Sequence, residues 1–333
     1  MGKLSNKELK KILTCIRKDP RVIVPPTPGY DAGVHKLGDK YLVVSTDPCI
    51  GVPEEWFGWL LVNYAASDVA LSGAKPEFCT VNLLAPLATK PTVFQTIMRQ
   101  VCAATNELDM AVVRGHTGTY DGLSKTLGVC TAYGTVAKEK LITSGNAKAG
   151  DLVMCTKAVG FETLINFSLA HKKLAKRIFG TQEAEKLMKL VKMESCVKEA
   201  LALAEIRGVH ALHDGTEGGL TSALNEVAEA SSLGFRIEFE ELPITAEMNA
   251  LQKSFGLSLE EVLSASSTGM IIAAVEKQAQ TAVVEALRKH SIPASFIGTF
   301  TKSKERVLMW SSGSTRFPLV ADDPYGRILS SKV

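Results

Sequence analysis

Acidic and histidine side chains recur beside small residues in predicted turns and at the ends of predicted strands. The members of this set are Asp31, Asp47, Asp68, His116 and Asp214. Carboxylates are the hard oxygen ligands that Mg²⁺ prefers, and small neighbouring residues leave backbone N–H groups open to phosphate oxygens. In open α/β sheets the ligand crevice lies beyond the carboxyl ends of the strands, where we expect Asp47, His116 and Asp214. The set therefore predicts a site for a polyphosphate with Mg²⁺.

Each member of the set also has an ordinary structural interpretation. Asp47 precedes Pro48 and could open a turn, and Asp31 could do the same in its glycine-flanked segment. His116 could be a hydrogen-bonded core histidine. Asp68 is harder to explain by structure alone, because an apolar helix of small residues seldom buries an unpaired acid.

The strongest local signal is the segment 213–220, where a predicted strand runs into a predicted helix. Asp214 or Thr216 could simply cap that helix. Gly218 and Gly219 disfavour a helix by propensity, so together they indicate a close backbone approach. A phosphate at the helix N-terminus would explain that approach. Asp214, Thr216, Gly218 and Gly219 are therefore the candidate nucleotide contacts.

The elements that must position these residues alternate between short β-rich runs and longer helical patterns, which is typical of an α/β or α+β protein. In the first half, strands are predicted at residues 41–46, 78–84, 110–114 and 126–136, and helices at 5–17, 56–71 and 93–106. In the second half, strands are predicted at 152–156, 209–213, 235–239, 269–275 and 296–300, and helical segments at 161–207, 218–231 and 278–290. The turn-rich segment 145–151 predicts a border between two domains, residues 1–148 and 149–333.

Composition excludes several other classes of protein. The 333 residues are 46% hydrophobic and 22% charged, which is ordinary for a globular protein of about two domains. A net charge of +3 gives no basic field for nucleic acid, and no apolar run approaches the roughly 20 residues that cross a bilayer. Seven cysteines without a C-x-x-C pair predict reduced thiols in the cytoplasm. His210 and His213 form the only close pair of strong metal-ligand candidates, and a metal role for them is not favoured.

The common nucleotide and hydrolase motifs are missing from the sequence. Gly33 and Gly38 have the P-loop spacing, but Asp39, Lys40 and a predicted strand follow them in place of the Lys-Ser or Lys-Thr and the helix that a P-loop needs. The sequence contains no G-x-G-x-x-G after a strand, no H-E-x-x-H and no G-x-S-x-G. A dinucleotide enzyme, a zinc protease and a serine hydrolase are therefore not predicted.

Five motifs, taken in order, resemble the aminoimidazole ribonucleotide (AIR) synthase-related superfamily. They are Gly29-Tyr30-Asp31-Ala32-Gly33-Val34, Ser45-Thr46-Asp47, residues 67–76 from Ser67-Asp68 to Lys75-Pro76, Arg114-Gly115-His116-Thr117, and residues 213–220. The superfamily includes AIR synthase, selenophosphate synthetase, thiamine-monophosphate kinase and the hydrogenase maturation factor that dehydrates a carbamoyl group. The resemblance extends over residues 22–301, and segments 67–76 and 212–232 are most similar to the maturation factor.

This resemblance implies a two-domain AIR synthase-like fold in which the N-terminal sheets of two subunits pair into a barrel, and hence a homodimer. It implies ATP and Mg²⁺ as cofactors, with the metal held by Asp31, Asp47 and Asp68. Thr117 and the turn from Asp214 to Gly219 are then nucleotide contacts, and Asp47, Asp68 and His116 are the expected catalytic residues. The implied activity is ATP-driven phosphorylation or dehydration of an acceptor, either a small molecule or a protein terminus.

Several positions depart from the pattern of the superfamily. Tyr30 replaces one of a usual pair of acids, His116 stands where many relatives have Asp, and Thr268 stands near a Glu of the hydrogenase factors. Those factors carry their group on a C-terminal cysteine, whereas no cysteine follows Cys196, so carbamoyl dehydration is not expected. Cys15 lies in the predicted first helix and not in a glycine-rich loop, so selenophosphate synthesis is not expected either. The alternative is a non-catalytic nucleotide-binding or assembly scaffold with a degenerate site.

Overall fold

The computed structural model describes residues 4, 6–320 and 322–331, which divide into two compact units. The N-terminal unit consists of residues 18–25 and 31–141, and the C-terminal unit consists of the described residues among 4–17, 26–30 and 142–331. A border between residues 148 and 149 stays a prediction, and these units differ from it by placing two short early segments with the later part of the chain. Ser5, the predicted start of the first helix, lies outside the described residues.

The helices and strands follow one another in a mixed order. In the first part of the chain they are α1 (Asn6–Leu13), β1 (Val22–Val24), β2 (Gly33–Leu37), β3 (Lys40–Cys49), α2 (Phe57–Leu71), β4 (Phe78–Pro86), α3 (Pro91–Leu108), β5 (Ala111–Tyr120) and β6 (Leu127–Ala137). The remainder are β7 (Leu152–Thr156), α4 (Phe161–Ala170), α5 (Lys172–Phe179), α6 (Thr181–Lys189), α7 (Val197–Ala204), β8 (Val209–Asp214), α8 (Gly219–Ala230), β9 (Gly234–Glu238), α9 (Ala246–Phe255), α10 (Leu259–Ser264), β10 (Ile271–Val275), α11 (Gln280–Lys289), β11 (Ala294–Thr301), β12 (Arg306–Trp310), β13 (Gly313–Arg316) and α12 (Tyr325–Leu329). Short 3-10 turns lie at Glu54–Trp56, Lys138–Lys140, Ser144–Asn146, Val191–Glu194, Phe239–Glu241 and Lys277–Ala279.

The N-terminal unit is a sheet with the strand order β1-β2-β3-β6-β4-β5. Its strands pair antiparallel except for β4 and β5, which are parallel. Burial alternates along β4 and β6, because successive side chains of a strand point to opposite faces. The helix α2 packs on β3 and β6, and nearly all of its residues are buried. One face of this sheet is therefore an apolar core under α2.

Two strands of this sheet are longer than the sequence indicates. The strand β3 stays paired with β6 as far as Cys49 opposite Gly128, so Asp47 lies inside the strand and not after its end. The strand β5 stays paired with β4 as far as Tyr120, so His116 also lies inside its strand. The expectation that Asp47 and His116 follow the ends of strands is therefore wrong, because backbone pairing with a neighbouring strand overrides the local turn signals.

The C-terminal unit is a sheet with the strand order β13-β12-β9-β11-β7-β10-β8, in which β12 and β9 are parallel and the other neighbours are antiparallel. The core around it contains the fully buried rings of Phe167, Phe235 and Phe317, the last two in edge-to-face contact at 5.0 Å. The predicted helical segment 161–207 is broken into α4 to α7. One break lies at Gly180, whose φ of +84° an L side chain would resist.

The predicted mixed α/β class is confirmed by these two sheets with their helices. The order strand, helix, strand, helix, strand, strand from β3 to β6 is also as predicted. The short elements β1, β2, β12, β13, α9, α10 and α12 were not predicted. In the part of the chain that the structure describes, no helix combines the length and hydrophobicity needed to span a bilayer.

Candidate functional site

Two acids of the N-terminal unit share one serine hydroxyl. The Oγ of Ser45 donates to Oδ2 of Asp68 at 2.7 Å and lies 3.4 Å from Oδ2 of Asp47. A hydroxyl has one proton, so the shorter contact is the hydrogen bond and the longer one records proximity. Ser45 and Asp68 are buried, whereas Asp47 is partly exposed. The structure therefore brings together Asp47 and Asp68, as the sequence predicts.

The sequence around Asp68 explains how a carboxylate reaches this place. It lies in α2, whose apolar residues require burial against the sheet, so the helix carries Asp68 to 9% exposure. Burying a carboxylate is costly unless a donor satisfies it, and the Ser45 hydroxyl is such a donor. Alternation along β3 puts Ser45 and Asp47 on one face, so a single strand supplies both.

Asp31 reaches the same end of the sheet through β2. It lies in a bend two residues before Gly33, and Gly33 pairs with Val44, the neighbour of Ser45. The carboxylates of Asp47 and Asp68 and the Ser45 hydroxyl form a set of hard oxygen donors, which suits Mg²⁺ and does not suit a softer metal such as Zn²⁺ or Cu⁺. The chemistry of these donors is therefore compatible with the predicted metal.

His116 and Thr117 are not part of this cluster. Both are exposed on β5, and the Nε2 atom of His116 lies 2.5 Å from the hydroxyl of Tyr120. In the strand order, β6 and β4 lie between β5 and β3. At the usual strand spacing, β5 and β3 are therefore about 14 Å apart. The structure of one chain therefore does not assemble Asp47, Asp68 and His116 into one catalytic group. The physical reason is the sheet order, which the spacing of residues along the sequence does not determine.

In the C-terminal unit, the turn after β8 is built by glycines. Asp214 ends β8, is buried and pairs with Ile271. Gly218 and Gly219 adopt φ angles of +79° and +51°. A Cβ atom on Gly219 would lie 2.4 Å from the carbonyl oxygen of Ala265. The close backbone approach that the glycine pair predicts is present, but the approaching group is the chain's own segment 263–265.

A side-chain carboxylate and a backbone carbonyl of the chain itself accept the N–H groups at the start of α8. The N–H of Gly218 donates to Oδ2 of Asp323 at 3.0 Å, and the N–H of Gly219 donates to the carbonyl oxygen of Thr216 at 2.9 Å. The residue before α8 is Gly218, without a side-chain cap, so the idea that the Asp214 or Thr216 side chain caps this helix is wrong. Contact of the turn with a phosphate stays a prediction, and such a phosphate would have to replace the Asp323 carboxylate at Gly218.

Two acids that the sequence pattern does not single out flank the segment 265–268 beside this turn: Glu162, which is buried, and Asp323, which is half-buried. Asp323 accepts backbone N–H groups from Gly218, Tyr325 and Ser266 at 3.0, 2.9 and 3.2 Å. Glu162 in α4 accepts the hydroxyls of Ser266 and Thr268 at 2.6 and 2.5 Å. The signal that could have found Glu162 is the one used for Asp68, because it also lies in an apolar helix. Asp323 lies near the C-terminus in a segment without such a pattern.

Burial raises the pKa of both acids. For Glu162, desolvation is the largest effect, and the hydroxyls of Ser266 and Thr268 oppose it by stabilising the carboxylate. For Asp323, desolvation again dominates and the three backbone N–H groups oppose it. The two carboxyl groups also repel each other when charged. The segment 265–268, which packs against the glycine turn, is therefore held by two acids whose pKa values are raised above those of surface acids.

Comparisons with known proteins agree with this architecture. The sequence models described as the N-terminal and C-terminal domains of AIR synthase related protein match residues 29–136 and 148–311. A selenide, water dikinase of Bdellovibrio bacteriovorus is 27% identical over 93% of this chain and 94% of its own. Carbamoyl dehydratase HypE of Bradyrhizobium diazoefficiens is 27% identical, and the match covers 79% of this chain and 75% of that protein. A solved structure of hydrogenase maturation protein HypE in complex with ATP gives a TM-score of 0.70 at 18% identity, covering 96% of this chain and 92% of that one.

Replacement of Gly219 by alanine should destabilise the protein strongly. The variant must keep a φ of +51° and place a methyl group 2.4 Å from the Ala265 carbonyl oxygen. We expect a loss of about 3 kcal/mol or more in the free energy of unfolding, measured by urea titration. Gly256→Ala is the matched control, because φ is +61° and nothing lies within 4 Å of the added Cβ, so about 1 kcal/mol should be lost. Equal losses in the two variants would contradict the close contact of the turn with segment 263–265.

The raised pKa of Glu162 makes the stability depend on pH. A buried acid whose folded pKa exceeds its unfolded value, near 4.5, stabilises the fold most below that value, and stability is lost as pH rises through the folded pKa. Glu162→Gln removes the titrating carboxyl group. As the pH rises from 4.5 to 7.5, the free energy of unfolding of this variant should therefore fall less than that of the wild type. Glu217→Gln, at an exposed position, is the control and should follow the wild type. If urea titrations give the same dependence of unfolding free energy on pH for the wild type and Glu162→Gln, the raised pKa of Glu162 is refuted.

Proposed function

Because the chain belongs to the AIR synthase-related protein family, we propose that it binds ATP with Mg²⁺ and uses the nucleotide to phosphorylate or dehydrate an acceptor. The observation that carries the proposal is the pair of carboxylates, Asp47 and Asp68, on either side of the Ser45 hydroxyl. A buried acid in an apolar helix costs stability, so a fold keeps it where its charge is used. A polyphosphate with its metal is the ligand that suits this charge.

The metal ligands would come from the N-terminal unit. Asp47 and Asp68 offer carboxylate oxygens, and Asp31 is a third candidate. Mg²⁺ bound there would neutralise negative charge on the phosphate oxygens. The protein's own part is to hold the two carboxylates at a fixed separation, which Ser45 does by its hydrogen bond to Asp68. Because Ser45 is itself buried in β3, this spacing is set by the sheet and not by a loop.

The nucleotide contacts would come from the turn of the C-terminal unit. Asp214, Thr216, Gly218 and Gly219 are the proposed contacts, together with Thr117 of the N-terminal unit. The N–H of Gly218 donates to a carboxylate in the structure, so it can serve an anionic oxygen. Support comes from the solved structure of a relative with the same fold, which is a complex with ATP.

The acceptor is proposed only as a class, either a small molecule or a protein terminus that receives phosphate or loses an activated oxygen. The relatives include a carbamoyl dehydratase and a selenide, water dikinase, which represent both kinds of chemistry. His116 lies about three strand spacings from Asp47 in the sheet, so we do not give it a part beside Asp47 within a single chain.

Binding of ATP should stabilise the protein only when Mg²⁺ is present. A ligand at about 100 times its Kd adds about 2.7 kcal/mol to the stability of the folded state, which is a rise of several degrees in Tm for a chain of this size. We expect this rise with ATP and Mg²⁺, and little or none with ATP and a chelator. The measurement is a thermal-shift titration of the full chain.

The same titration on variants assigns the metal ligands. Asp47→Asn and Asp68→Asn should lose the Mg²⁺-dependent rise, because each removes a charged oxygen from the cluster. Asp39→Asn is the matched control, since this acid is exposed in the turn between β2 and β3 of the same unit. A full rise in both cluster variants would refute the proposed site. A rise with nucleotide but no product with any acceptor would favour the non-catalytic scaffold.

We also propose that two copies pair through β5. Within the described residues this strand pairs only with β4, and nearly every residue along it is exposed, including Val112, Val113 and Tyr120. A long edge strand that exposes apolar side chains invites pairing with another strand, and proteins normally cover such an edge. A second copy of the same sheet is the occupant that the family resemblance implies, and it would remove the edge from both chains.

A charge on this edge should dissociate the dimer. Val113 is 57% exposed in a single chain, so Val113→Asp should leave the fold intact but bury a charge in the proposed interface. Light scattering after size exclusion should give about twice 35.8 kDa for the wild type and one such mass for the variant. Val284→Asp, on exposed α11 of the other unit, is the control and should remain dimeric. A monomeric wild type, or a dimeric Val113→Asp variant, would contradict this interface.

A further inference from the structure

The two histidines of β8 have separate partners. His210 and His213 are three residues apart on a strand, so their side chains lie on opposite faces of the sheet. The Nε2 of His213 lies 2.8 Å from a carboxylate oxygen of Glu226, while the ring of His210 lies between Asp151 and Lys148. The pair therefore does not form a metal site, and His210 belongs to a different cluster.

Lys148, His210 and Asp151 form a linear chain of contacts in the C-terminal unit. The Nδ1 of His210 lies 3.0 and 2.9 Å from the two carboxylate oxygens of Asp151. Its Nε2 lies 2.9 Å from the Nζ of Lys148. Asp151 also accepts the backbone N–H of Lys148 at 2.7 Å, so the carboxylate fixes both the ring and the start of the lysine. Asp151 is buried, His210 is half-buried and Lys148 is exposed.

The buried carboxylate determines which nitrogen of the ring carries the proton. An imidazole whose Nδ1 faces a carboxylate holds its proton there, which leaves the lone pair of Nε2 directed at the lysine. The order is then an amine, a base within hydrogen-bond distance and an acid that orients the base. This is the arrangement that activates a nucleophile in covalent catalysis.

Other surface lysines have a different kind of partner. The Nζ atoms of Lys75 and Lys176 lie 2.6 Å from the carboxylates of Asp109 and Glu185. A carboxylate stabilises the charged ammonium, which is not nucleophilic, whereas a neutral imidazole can accept a proton from it. Lys148 is thus exposed to solvent like the others but faces a base instead of a counterion.

We propose that Lys148 is an acyl-accepting lysine, whose amine takes an acyl group from an activated donor such as an acyl thioester or an acyl phosphate. His210 takes a proton from the ammonium, and the nitrogen lone pair attacks the carbonyl carbon of the donor. A C–N bond forms, and the C–S or C–O bond of the donor breaks. Of the two protons that the nitrogen loses, one passes through His210 to the departing thiolate or phosphate and the other goes to solvent. No oxidant, nucleotide or metal takes part.

The test compares lysines within one protein. The full chain is incubated with acetyl-CoA in one arm and with acetyl phosphate in another, and the acetylated fraction of each lysine is followed by peptide mass spectrometry. Lys148 should react about tenfold faster than Lys75 and Lys176 in at least one arm, which is below the range for general-base catalysis because the site is open to water. The arm in which it does so identifies the class of donor.

A variant separates the base from the hydrogen bond. His210→Gln keeps an acceptor near Lys148 but cannot take a proton, so acetylation of Lys148 should fall to the rate of Lys176. A thermal melt that matches the wild type shows that this variant is folded, and the rates at Lys75 and Lys176 should be unchanged. The proposal is overturned if Lys148 of the wild type reacts no faster than those two lysines in either arm, a result that needs no variant. It is also overturned if His210→Gln keeps the wild-type rate. Neither result depends on whether the protein binds ATP.

Discussion

The burial of a carboxylate in an apolar helix is the constraint on which the N-terminal unit depends. The helix α2 must lie on the sheet because nearly all of its residues are apolar, and Asp68 goes with it. The Ser45 hydroxyl satisfies that acid, so β3 and α2 are fixed relative to each other at this point. Asp47, two residues further along the same strand, is then placed beside Asp68 without any loop. The geometry of the acids is thus a consequence of helix-on-sheet packing.

In the C-terminal unit, carboxylates hold a loop against the glycine turn. The turn from Asp214 to Gly219 is shaped by the carbonyl oxygen of Ala265, and the segment after Ala265 is held by Glu162 and Asp323. These acids accept hydroxyl and N–H donors, so the loop is fixed on both sides. Charge in this unit therefore supports the backbone of the turn, whereas in the N-terminal unit the two carboxylates lie on either side of one buried hydroxyl.

Much of this could be predicted from local pattern, and the exceptions have physical causes. Asp68 can be identified from the sequence alone, because a charged residue is unexpected among the apolar residues of a buried helix. The strands that carry Asp47 and His116 extend beyond their predicted ends, because pairing with β6 and β4 determines where they end and these partners are distant in sequence. The glycines at 218 and 219 correctly indicated a close approach, but a sequence does not say whether a ligand or the chain's own segment comes close. Asp323 was missed because its three donors come from three separate segments.

The contact between Glu162 and Thr268 limits how this site can change during evolution. The hydroxyl of Thr268 donates to the carboxylate of Glu162 in a buried place. A glutamate at position 268 would set two buried carboxylates against each other. A chain that gains an acid at position 268 would therefore have to lose the acid at position 162, either earlier or at the same time. Residues 162 and 268 should covary among the relatives of this chain, with one acid shared between the two positions.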